Sequence, residues 1–210
     1  MDDAELPTAV LTARFSEAVR WASLLHSDQP RKGTRIAYVS HLLAVASLVL
    51  EDGGDEDEAI AGILHDAMED KAVAEAEIRS RFGARVAKIV VACSDGVGGP
   101  RDETDWRTRK EAYIAHLRDP ALPPGTLRVA AADKLHNARS ILSDLTEHGP
   151  EIWDRFHAGP DDQRWYYEKV SAVLTDEHPS VTTRELGRVV EALVAEMGHD
   201  DASPGRHGGA

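Results

Sequence analysis

Apolar residues recur every three or four positions along most of this chain, and runs alternating every second residue are scarce. That is the period of the α-helix, not of the strand. The spacing predicts helices over Thr8–His26, Ser40 to just before Gly53, Asp55–Asp70, Glu75–Phe82 and Ala84–Ser94. Four more follow over Trp106–Leu117, Thr126–His148, Asp161–Thr175 and Thr182–Met197. Ser40 and Thr126 have the chemistry of N-caps, and Gly53-Gly54 is a stop signal. DQPRKGTR reads as a polar loop, DGVGGPRDET as a glycine-rich loop and DPALPPG as a break. No repeat and no shift in composition divides the chain. The expected fold is all-α, a single helical bundle over residues 1–199, with a disordered tail over 200–210.

The helices differ in how the pattern wraps them. The second is apolar on nearly every side, which predicts a central, buried position. In the third, Ile60, Ile63, Leu64, Ala67 and Met68 form one stripe, and His65, Asp66, Glu69 and Asp70 share the opposite arc. The helix from Thr126 sets Leu127, Ala131, Leu135, Ala138, Leu142 and Leu145 against Asp133, Asn137, Ser140 and Asp144. Periodicity alone makes each polar face a solvated surface. His41 points elsewhere. It starts a helix of Leu, Val and Ala, so it is expected to be buried and to need a partner. A helix N-terminus also disfavours the imidazolium form and leaves a neutral nitrogen suited to a metal.

Composition narrows the class. The chain has 210 residues and a formal charge of −13, which argues against nucleic acid or anionic membrane as partners. An anionic substrate must then be met by a local basic cluster, and Arg31, Lys32 and nearby Arg35 supply one. A single cysteine, Cys93, excludes a disulfide framework and multi-cysteine zinc modules. The start MDDAELPT lacks the features of a signal peptide, and LLAVASLVL is too short to span a bilayer. A soluble, cytoplasmic protein is expected, with homo-oligomerisation left open.

His41, the doublet His65-Asp66 and the distant Asp133 suffice, if they converge, to hold one divalent metal through nitrogen and oxygen ligands. Glu69 and Asp70 follow one turn later, where a carboxylate can accept a proton from a water or fix its direction. Trp165, Tyr166 and Tyr167 read as core rather than as a pocket wall, and Arg107, Arg109 and Lys110 as surface. Lys134 sits at the edge of an apolar stripe, placed to snorkel or to pair with a carboxylate.

This ordered set resembles the HD-domain phosphohydrolases, and more specifically the small alarmone hydrolases and the hydrolase half of Rel/Spo-type enzymes. The resembling stretches are QPRKGTRIAYVSH, AGILHDAMED, IRSRFGARVAKIV and AADKLHNARS, within about residues 15 to 145. The resemblance implies a helical fold, one divalent ion (usually manganese) and removal of the 3′-pyrophosphate from ppGpp. It implies that His41, His65, Asp66 and Asp133 bind the metal and that Glu69 and Asp70 assist the water. Arg31, Lys32, Asn137 and Ser140 then line the nucleotide site. Leu42 stands where the family has proline, and GTRIA replaces the usual SGEP, both in the substrate-recognition region. No alarmone synthesis is expected. Two alternatives stay open: an HD phosphatase for another nucleotide, such as a nucleoside monophosphate, a nucleotide triphosphate or NADPH, and a nucleotide-binding regulator without turnover.

Overall fold

The computed structural model describes residues 10–94 and 105–201, with side chains described to residue 198. The expected glycine-rich loop and the tail from residue 202 lie outside the described residues, as do residues 1–9. The described residues form ten α-helices and no strand. In order they are α1 (Ala13–Leu25), α2 (Val39–Glu51), α3 (Glu56–Leu64), α4 (Ala67–Lys71), α5 (Glu75–Phe82), α6 (Ala84–Cys93), α7 (Trp106–His116), α8 (Thr126–His148), α9 (Pro160–Glu177) and α10 (Val181–Asp201). The all-α expectation is borne out. By contacts the chain divides into two compact units, Met1–Ser94 with Ala121–Ala132 and Asp95–Pro120 with Asp133–Ala210.

In the first unit α2 packs along α3, and α3 also meets α1 and α6. The buried side chains are those of the apolar pattern: Leu42, Val45, Ala46 and Val49 from α2, and Ala59, Ile60, Ile63 and Leu64 from α3. Each fully buried Leu or Ile contributes roughly 1.5–3 kcal/mol. Gly62 faces α2, and a Cβ there would make an ordinary van der Waals contact with Val45 Cγ1 at 3.4 Å. In the second unit α9 packs on α7 and α10 around Tyr113, Tyr166, Tyr167, Val170, Leu174 and Leu193.

Three local expectations are corrected. The helix expected over Asp55–Asp70 is broken at His65-Asp66, which form a turn between α3 and α4. Ser40 lies inside α2, whose N-cap is Tyr38, and the Tyr38 side chain makes no capping hydrogen bond. Thr126 is the first residue of α8, and its buried hydroxyl makes no hydrogen bond there. A short 3-10 helix over Gly149–Arg155 had no periodic signal to predict it.

The start of α3 carries a buried acid with strong compensation. Asp55 and Glu58 form a reciprocal capping box. Glu58, 5% exposed, also accepts from Arg85 Nη2 at 2.9 Å and from Arg128 on the first turns of α8. Asp52 joins through Arg128 Nε at 3.4 Å. Gly125 is required beside this cluster: its φ is +95°, and a Cβ would come within 2.5 Å of Glu58 Oε1.

Candidate metal centre

His41 sits in the first turn of α2 and His65 caps the end of α3, so the close packing of these helices brings the rings together. Both are buried, at 1% and 4% exposure. Their Nε2 atoms are 3.3 Å apart. His65 Nδ1 lies 2.9 Å from the Gly62 carbonyl oxygen, which can only accept, so Nδ1 carries the hydrogen. A neutral ring then presents its Nε2 lone pair inward. Asp66 Oδ2 lies 2.9 Å from His65 Nε2 and 3.6 Å from His41 Nε2. Tyr38 donates its hydroxyl hydrogen to the same Oδ2.

Two imidazole nitrogens and a carboxylate oxygen converge here, each able to offer a lone pair to one ion. The donor set, two borderline nitrogens and one hard oxygen, fits a divalent ion of the zinc, iron or manganese type. The Gly62 carbonyl and the Tyr38 hydroxyl fix the orientations of His65 and Asp66, the usual work of groups behind metal ligands. Asp133, on α8 in the second unit, is buried and offers a carboxylate ligand atom. It accepts from Lys134 Nζ at 2.6 Å and from Asn137 Nδ2 at 2.5 Å.

The break at His65-Asp66 explains how adjacent residues serve one point. On an unbroken helix successive side chains diverge by about 100°. Here Asp66 has φ −96° and ψ −1°, outside ideal helical geometry, and its carboxylate turns back to the His65 ring. The residues expected on a solvated polar arc are thus divided: His65 is buried, Asp66 and Glu69 half-buried, and Asp70 exposed. Asp70 accepts from Gln29 Nε2 at 2.7 Å.

Arg31 and Lys32 stand on a pinned loop. Tyr38 N–H donates to the Gln29 carbonyl at 2.9 Å, Arg31 N–H to the Ile36 carbonyl at 2.8 Å, and Pro30 pairs with Ala37 as an antiparallel bridge. Gly33 takes φ +71° at the tip. The local chain here is a small hairpin rather than a free polar loop. Asn137 and Ser140 lie half-buried on α8, one donating to Asp133 and the other to the His136 carbonyl.

Sequence reasoning missed His26, Gln29 and Tyr38. Buried His26 stacks on Tyr38 with centroids 5.1 Å apart, and Tyr38 meets His41 edge-on at 5.5 Å. Burial pushes the His26 imidazole below its ordinary value, partly opposed by its bond to Gln29. The signal was present, since all three fall in the stretch that leads into His41. The conspicuous aromatics Tyr166 and Tyr167 are core, as expected. Arg107 does more than stand on the surface: it stacks on Trp165 at 3.2 Å and pairs with Asp162 at 2.9 Å. Lys134 reaches over Tyr113 at 5.0 Å while pairing with Asp133.

A family model described as HD domain matches residues 18–163. The chain belongs to the HD-domain family. The resemblance read from the sequence is borne out by its relatives. A guanosine-3′,5′-bis(diphosphate) 3′-pyrophosphohydrolase of Haemophilus influenzae is 34% identical over 110 residues, half of this chain but only 16% of that protein. The human protein of the same name, MESH1, is 29% identical over 189 residues, 89% of this chain and 96% of that one. The solved structure titled a metazoan ortholog of SpoT that hydrolyzes ppGpp has TM-score 0.66 at 21% identity, over 90% of this chain and 98% of that chain. At that identity the likeness is one of fold, and the fold is all-α. Among the described residues no helix is long and apolar enough to cross a membrane.

Proposed function

We propose that this HD-domain protein is a divalent-metal-dependent phosphohydrolase that removes pyrophosphate from the 3′ position of guanosine 3′,5′-bis(diphosphate). The observation that carries the reading is the pair of buried Nε2 atoms 3.3 Å apart with the Asp66 carboxylate turned against them. Relatives named for this activity, including one that the chain spans almost entirely, support the substrate. The family model runs across both units, which supports a single HD domain over residues 1–199.

In this proposal His41, His65, Asp66 and Asp133 hold the ion, taken to be manganese. The ion supplies Lewis-acid polarisation of the phosphate oxygens. The residues of the chain do the rest. Glu69 and Asp70 orient the attacking water and accept its proton. The water oxygen bonds to the phosphorus on the ribose 3′ oxygen, that phosphorus–oxygen bond breaks, and pyrophosphate departs while the ribose oxygen gains a proton. Arg31 and Lys32, set on their hairpin, meet the nucleotide, and the Arg31 guanidinium is flat enough to stack on a purine. Asn137 and Ser140 line the site on α8.

The test is turnover with added manganese over ppGpp, pppGpp, ppApp, NADPH and simple nucleotides, with products identified. Pyrophosphate release from ppGpp at the highest kcat/KM is expected. Turnover of another nucleotide with none of ppGpp keeps the metal chemistry and discards the alarmone substrate. Tight ppGpp binding without release makes the protein a regulator.

A further inference from the structure

The proposed mechanism assigns a task to Asp70 but does not account for its orientation. The side chain is exposed, and an exposed aspartate ordinarily samples several rotamers. Here Gln29 Nε2 donates to its Oδ2 at 2.7 Å. The other end of the same amide, Oε1, lies 2.9 Å from Nδ1 of buried His26. A carboxylate can only accept, so the amide must present its NH2 to Asp70 and its oxygen to His26. Nδ1 of His26 is then a donor, and the amide has one satisfied orientation. The ring is itself clamped by its stack on Tyr38, 21° from parallel. Gln29 is further fixed by its backbone, whose carbonyl accepts from Tyr38 N–H and whose N–H donates to the His26 carbonyl at 3.1 Å.

We propose that Gln29 is a positioning residue for Asp70, with His26 locking the amide so that its donor always faces the carboxylate. The inference rests on the reading of Asp70 as a carboxylate that handles the attacking water. Gln29 touches neither substrate nor ion in this role; it acts through Asp70 alone. Its neighbours Arg31 and Lys32 would face the nucleotide, so one short segment sets both the substrate contacts and the orientation of the base.

The test compares Gln29→Leu, Gln29→Glu, His26→Phe, Asp70→Asn and the double variant Gln29→Leu/Asp70→Asn. Gln29→Glu keeps the shape and the acceptor for His26 but replaces the donor with a second carboxylate. Loss of an outer partner of this kind typically costs 10- to 100-fold in activity. Both Gln29 variants should lose about that much kcat on ppGpp, with KM, bound metal and melting temperature close to wild type. His26→Phe keeps the stack on Tyr38 and should show a smaller fall. The deciding result is non-additivity: Gln29→Leu should cost nothing further once Asp70 is Asn. Additive losses, or an unchanged kcat in Gln29→Leu beside a crippled Asp70→Asn, overturn the inference and leave the proposed function standing. Wild-type protein with no turnover of any nucleotide overturns the proposed function, and this inference with it. The side-chain amide resonances of Gln29 give a readout free of turnover: they should move in Asp70→Asn and in His26→Phe, and immobility in both overturns the contact itself.

Discussion

Two carboxylates of the first unit, Glu58 buried and Asp66 half-buried, are treated in opposite ways. Glu58 meets two guanidinium groups and a backbone N–H, so its charge is compensated wherever it turns. Asp66 faces two imidazole nitrogens, and the Tyr38 hydroxyl donates to the same carboxylate oxygen. Burial of a charge is costly without a partner. The first cluster is complete as a piece of structure, whereas the second has the donor set of the proposed metal site. Burial marks neither of them as functional. The sign of what surrounds the acid does.

The largest effect that would break this contrast lies at the second cluster. His65→Ala or Asp66→Ala should remove most of about one equivalent of bound divalent metal, measured by plasma emission spectroscopy on purified protein. Turnover should fall at least as far as the roughly 100- to 10,000-fold lost when a general base is removed. Full metal retention in both variants would assign these side chains to structure, like Glu58.

Next comes the mirror experiment. Glu58→Ala leaves Arg85 and Arg128 without their shared acceptor, and removing one partner of a buried ion pair costs about 3–5 kcal/mol. Denaturant unfolding should show that loss with metal content per folded molecule unchanged. Asp66→Asn in chelator-treated protein should cost far less, because it relieves acceptors facing one another. Equal destabilisation in the two variants would erase the distinction.

Smaller effects sharpen the comparison at its margins. Changing Arg31 and Lys32 together to Ala should raise KM and cost on the order of 1–3 kcal/mol in transition-state stabilisation, with metal content intact. Steady-state kinetics on the best nucleotide decide it. Least of all, Asp55→Ala should remove about 1 kcal/mol as a lost N-cap. Burial works to raise the Asp55 pKa, but the Glu58 amide and the Arg85 guanidinium outweigh it and hold the carboxyl below the ordinary aspartate range. That stabilisation is full above the ordinary range and drains as pH falls through the lowered value. Wild type and Asp55→Ala should therefore converge in acid, a trend that chemical melts from neutral to acidic pH would reveal.

Much of this was legible in the sequence because periodicity reports which face is buried. α5 was read to the residue, and the burial of His41 followed from its apolar neighbours. The break at His65-Asp66 was not legible. Every residue from Asp55 to Asp70 is compatible with helix, and no glycine or proline marks the turn at 65–66. The Gln29–Tyr38 hairpin escaped for a related reason: its strand pairing amounts to one isolated bridge between Pro30 and Ala37, too little to impose any alternation. The ion cluster at Glu58 depends on partners 27 and 70 positions away, a distance over which local pattern carries no information.

The kink between α3 and α4 carries an implication for how this chain can change. Selection for stability ordinarily favours residues that extend a helix. Across positions 64 to 67 that pressure would be counterproductive. A straightened segment would swing one member of the doublet away from its neighbour and open the proposed chelate. The segment is therefore held at a local imperfection by the job it performs, and stabilising variants gathered by blind screening should be sparse there. Where they do arise, they should trade heat resistance against turnover.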